Sequence, residues 1–130
     1  MTINEFIKKY RKCEEFEVAS GMFKQMPFTP YVICNDDFEF SAQASYTHYS
    51  EPRAMSDEYT QVEIGYPSLN DRIIAEYRED YGWEEGHGLT NPVYPYVPVE
   101  VVDELIAYHG GINEDAVRER IAEMEKRTAA

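Results

Sequence analysis

The chain has 130 residues and 25 acidic against 12 basic side chains, a net charge of −13. That length allows one domain, residues 1–130, with a core of its own, and that charge argues against a grip on DNA or RNA phosphates, which needs Lys and Arg to displace counterions. No apolar run reaches the roughly 18 residues of a membrane-crossing helix, and Cys13 and Cys34 stand far apart outside any Cys-x-x-Cys pattern, so free thiols are expected.

Residues 2–12 read as a short amphipathic helix. Thr2 and Glu5 are spaced as a capping box, and Ile3, Phe6, Ile7 and Tyr10 share one face. Lys8, Lys9, Arg11 and Lys12 crowd its last turns, where positive charge meets the negative helix end. The stretch TINEFIKKYRK is broken by charge throughout and lacks the apolar core of a signal peptide, so the cytoplasm is the expected location.

A sheet follows. Tyr31–Cys34 is a short apolar run, Asn35–Asp37 has turn chemistry, and residues 38–46 alternate. That alternation sends Phe38, Phe40, Ala42, Ala44 and Tyr46 to one side, and the two alanines leave room for a helix to lie close. Residues 59–66 alternate again, with Val62, Ile64 and Tyr66 expected inward. Three such segments suggest an antiparallel meander with one face in water.

Ser68 is placed to cap a helix with Leu69, Ile73, Ile74 and Tyr77 on its buried side. Residues 79–92 form an acidic, Gly-rich loop around Trp83. Val93–Pro98 contains two prolines, so it can pair only as an edge strand. Pro98 is expected to open a helix at its first position, buried by Val101, Val102, Leu105 and Ile106 and ended by Gly110. Asn113 caps the last helix, with Ile112 and Val117 spaced as a hydrophobic staple and Glu114–Arg118 as an i,i+4 pair. Its stripe of Val117, Ile121 and Met124 is narrow, fit either for the core or for a second copy, so the chain reads as a monomer or a homodimer. The sum is α+β: a small antiparallel sheet of three to four strands with helices mostly on one face.

Specific catalytic and metal motifs are missing from the sequence. It has no HExxH, no paired CxxC, no EF-hand loop and no GxSxG. His109 falls in a helix's last turn, where imidazolium is stabilised, and His87 lies between glycines beside Glu84 and Glu85. No cofactor, metal or catalytic residue is assigned, and an enzyme is the third reading.

What remains is surface. Asp36 and Asp37 sit in a turn; Glu79, Asp80, Glu84 and Glu85 surround Tyr81 and Trp83. Spaced carboxylates can occupy a basic groove built for nucleic acid, and neighbouring aromatic rings add contact area at small entropy cost. The stretches NDDFEFSAQASYTHYSEPR, VEIGYPS and YPYVPVEVVDELIAYHGGI resemble small acidic proteins of phages and mobile elements. In length and acidity the chain also resembles anti-CRISPR and anti-restriction inhibitors. That resemblance implies a non-enzymatic inhibitor of counter-defence type that binds a basic, nucleic-acid-binding surface of a host protein. The acids and rings just named are the expected contacts. An alternative rests on Ser45–Arg53, where His48, Tyr49 and Arg53 could line a pocket for a nucleotide-like ligand, Arg gripping a phosphate and Tyr stacking on a base. A lone Arg in so acidic a region is more simply expected to pair with a carboxylate, and Tyr46 to belong to the core.

Overall fold

The computed structural model describes residues 1–79 and 93–129, with backbone alone at 14–18, 23–25 and 128–129. Helix α1, Ile3–Tyr10, starts on the expected capping box: Thr2 Oγ accepts from the Glu5 N–H, and Glu5 accepts from the Thr2 N–H at 2.8 Å. Its four apolar residues are buried. A hairpin then follows that the sequence reading left unassigned, β1 Lys12–Ala19 against β2 Met22–Phe28. Ser20 and Gly21 make its tight turn, with Gly21 at φ 76, a conformation that glycine adopts without strain.

A four-stranded antiparallel sheet carries the core. Its strands are β3 Val32–Ile33, β4 Glu39–Gln43, β5 Gln61–Gly65 and β6 Val93–Pro98, in that spatial order. The edge place of β6 is the one its prolines require. Helix α2, Val99–Tyr108, leaves β6 directly with Pro98 as its cap residue, one position earlier than expected. Helix α3, Glu114–Ala129, begins where the Asn113 side chain accepts from the Ala116 N–H at 3.1 Å.

One sheet face is sealed. Phe38, Phe40, Ala42 and Ala44 from the β4 region meet Val62, Ile64, Tyr94 and Val97, with Phe6, Leu105 and Val117 from the helices. Each large side chain so buried stabilises the fold by about 1.5–3 kcal/mol. Helices α1 and α2 pack on the sheet, while α3 runs at the β3 edge and reaches around it, Arg120 meeting Glu39 at 2.9 Å. The α+β expectation therefore holds, with a second, two-stranded sheet added.

Three local expectations fail for physical reasons. Tyr46 is 43% exposed, because the chain leaves β4 after Gln43 and turns at Ser45, whose N–H donates to Ser50 Oγ. Tyr66 is 55% exposed, since β5 ends at Gly65 and Tyr66 takes φ 51. Residues 68–77 form no α-helix, only a short 3-10 turn at Ala75–Tyr77. Ser68 Oγ accepts from the Glu39 N–H instead of capping, Asp71 accepts from the Ile73 N–H, and Leu69 is 64% exposed. Long-range ties overrode the helical spacing there.

Candidate functional site: the outer face of the sheet

The sheet's other face begins with the residues that alternate away from the core: Ser41 and Gln43 on β4, Gln61 and Glu63 on β5. The base of the hairpin folds over one end of it. There the Gln43 side-chain amide accepts from the Thr29 N–H at 2.9 Å and donates to the Thr29 C=O at 2.7 Å, copying a backbone pair.

Glu63, which pairs with Gln43, faces a bulge in β6 on its other side. Val62 pairs with Val97 and Ile64 with Tyr94, so Pro95 and Tyr96 together oppose Glu63 alone. A bulge of this kind bends the strand and redirects a side chain. Tyr96 takes φ 52 in it and is exposed. Its N–H donates to the Tyr49 C=O at 3.1 Å, and the Tyr49 N–H donates to Glu63 Oε1 at 3.2 Å. The two rings lie 5.8 Å apart, and the Arg53 guanidinium lies over Tyr49 at 5.3 Å from its centroid. Arg53 has no carboxylate within ion-pair distance among the described residues, contrary to the simpler expectation.

His48 hydrogen-bonds Ser45 Oγ through Nδ1 at 2.7 Å. Burial holds its pKa below the ordinary 6.5, Glu63 pulls the other way and Arg53 adds to the lowering, so the ring is neutral at pH 7. It borders a pocket of about 350 Å³ together with Phe28, Glu63 and Tyr66. Tyr49 and Arg53 are not among its described lining residues, so the three side chains chosen from the sequence share a loop without converging on that cavity.

The other chosen residues fall elsewhere. Asp36 is half exposed yet engaged, its carboxylate taking His109 Nδ1 at 2.6 Å, which with the Phe38 N–H holds its pKa below the usual range. Asp37 is exposed in the β3–β4 turn at φ 74. Glu79 is half-buried and donates its N–H to the Val93 C=O. Asp80, Tyr81, Trp83, Glu84 and Glu85, and His87 with them, lie outside the described residues. Glu63, Tyr66 and Tyr96 were not chosen from the sequence. The alternation of residues 59–66 pointed Glu63 outward, but no local pattern announced the bulge.

His109 is structural, as its place in the last turn of α2 suggested. Nε2 meets Asp71 at 2.7 Å, and its ring stacks on Phe38 with centroids 3.9 Å apart. Burial opposes its charge, but the hydrogen bonds and charges of Asp36 and Asp71 prevail and raise its pKa. Cys34, also buried, has its thiol pushed up to about 12, by burial first and the Asp36 charge second. Neither cysteine is in a disulfide. Among the described residues no group of three His, Cys, Asp or Glu could hold a metal, and no helix is long and apolar enough to cross a membrane.

These elements define an α+β protein with one sheet face sealed by helices and the other lined by tyrosines around a carboxylate. Comparison with protein-family models, with curated proteins and with solved structures finds no match to this chain.

Proposed function

We propose that this protein is a non-enzymatic inhibitor of counter-defence type, one that binds the basic, nucleic-acid-binding surface of a host protein. One observation carries the reading: in a chain of net charge −13, exposed Tyr49, Tyr66 and Tyr96 stand around Glu63 on a face the helices leave open. Rigid tyrosines supply contact area at low entropy cost. The surrounding negative field steers a basic partner in, and that steering weakens with salt.

The test is capture of a nucleic-acid-binding protein from host lysate on the tagged chain, followed by competition between the tagged chain and nucleic acid for it. Release by salt and loss of the partner's nucleic-acid binding are expected. Neutralising Glu79, Asp80, Glu84 and Glu85 together should slow association and flatten its salt dependence. Unchanged association in that variant would remove those acids from the contact.

A second reading, sequestration of a nucleotide-like ligand by His48, Tyr49 and Arg53, has in its favour the Arg53 guanidinium lying over the Tyr49 ring in the loop that carries His48. Native mass spectrometry of the purified protein would reveal a retained small molecule. Unaltered ligand affinity in Arg53→Ala would exclude that site.

A further inference from the structure

We infer that the outer-face pocket receives an arginine side chain of the partner protein. The inference rests on the inhibitor reading and says which group of the partner enters. At about 350 Å³ the pocket is near the small limit of ligand cavities, suited to one long side chain rather than a folded segment.

Its charge selects a cation. Glu63 is the one acidic side chain among the described lining residues, which include no Lys or Arg, and burial keeps the His48 ring beside it neutral. Among the described residues the carboxylate accepts a single hydrogen bond, from the Tyr49 backbone, and no Lys, Arg or His lies within ion-pair distance of it. Two carboxylate oxygens offer about four acceptor sites, so room remains for a forked donor. Arg53, the base of the adjoining loop, lies over the Tyr49 ring and not in the pocket wall. A phosphate or carboxylate ligand would meet Glu63 unfavourably.

The walls select arginine over lysine. Phe28, Tyr66 and Met26 offer aromatic and apolar surface beside the carboxylate. A planar guanidinium can stack on such a wall while its fork engages Glu63, whereas an ammonium is more strongly hydrated and has no flat face. The left-handed backbone of Tyr66, φ 51, holds its exposed ring at the pocket wall.

The test is a nuclear magnetic resonance titration of the labelled protein with N-acetyl-arginine amide, its lysine counterpart and its citrulline counterpart, the neutral isostere. Arginine should shift the signals of Glu63, Gly65 and Tyr66, lysine should bind more weakly, and citrulline should leave them unmoved. Glu63→Gln keeps an acceptor for the Tyr49 N–H and should weaken arginine binding about tenfold or more. Tyr66→Ala, at an exposed position, should weaken it several-fold with the fold intact. Equal effects of arginine and citrulline, or wild-type affinity in Glu63→Gln, would overturn the proposal. The two readings fail separately. A captured partner held equally well by Glu63→Gln overturns the pocket and leaves the inhibitor; an arginine-binding protein that blocks no nucleic-acid-binding partner overturns the inhibitor and leaves an arginine site.

Discussion

The junction closed by His109 and the face around Glu63 are made of the same kinds of groups, a histidine, carboxylates and aromatic rings, and they end in opposite states. At the junction each described polar group is answered: two carboxylates take the two ring nitrogens, and Phe38 covers the ring. Three segments meet there, the end of α2, the β3–β4 turn and the loop after β5. Asn35 ties the same turn to the Gly110 and Gly111 carbonyls. On the outer face one loop and one bulge bring Tyr49, Glu63 and Tyr96 together, and the rings stay exposed. Convergence of elements thus decides whether a polar cluster becomes a fastener or a contact surface.

The broadest way to break this contrast is truncation. Phe38→Ala should cost about 3–5 kcal/mol in urea unfolding, the loss typical of an emptied core position, whereas Tyr96→Ala should stay within about 0.5 kcal/mol. Similar losses at both would show that the outer face also holds the fold.

A smaller effect separates the histidines by pH. A histidine whose folded pKa is raised contributes stability that is full below its unfolded value, 6.5, and is lost as pH rises through the folded one. His109→Gln should therefore cost about 2 kcal/mol on the acid side of 6.5, and the gap to wild type should narrow as pH rises through the folded pKa. Below that window the Asp36 contribution, whose folded pKa is lowered, fades as the carboxylate protonates. Imidazole titrations by nuclear magnetic resonance should place His109 above 6.5 and His48 below it. A pH-independent gap, or the reverse order of titration, would dissolve the fastener.

The smallest effect has the opposite sign. Tyr96→Gly removes a side chain from a left-handed position and should raise stability by about 0.5–1 kcal/mol. The same change should weaken partner binding, and thermal melting beside binding measurements would reveal the trade. A loss of stability would mean that the Tyr96 ring packs more than its exposure suggests.

Much of the fold was legible where a signal was local. The Thr2–Glu5 box, the Phe38–Ala44 alternation, the proline-marked edge strand and the Asn113 cap each act within a few residues. The first hairpin was missed because a strand carrying Glu14, Glu15 and Glu17 gives no apolar alternation to notice, though Ser20-Gly21 was a fair turn signal. Residues 68–77 misled because Ile73, Ile74 and Tyr77 have helical spacing while Ser68 and Asp71 answer to Glu39 and His109 across the fold. The site was less legible for the same reason. Tyr49 was found from its crowded loop, but Glu63 and Tyr96 matter through a bulge that exists only when two strands pair.

The cysteines give the molecule a clock. Cys13 is exposed on the hairpin, whereas Cys34 is wholly buried beneath the turn that His109 pins, with a thiol that does not ionise near neutrality. An alkylating reagent should mark Cys13 at once and wait at Cys34 for the core to open. The delay between the first and second mass increments times that opening in the wild-type chain, with no substitution made.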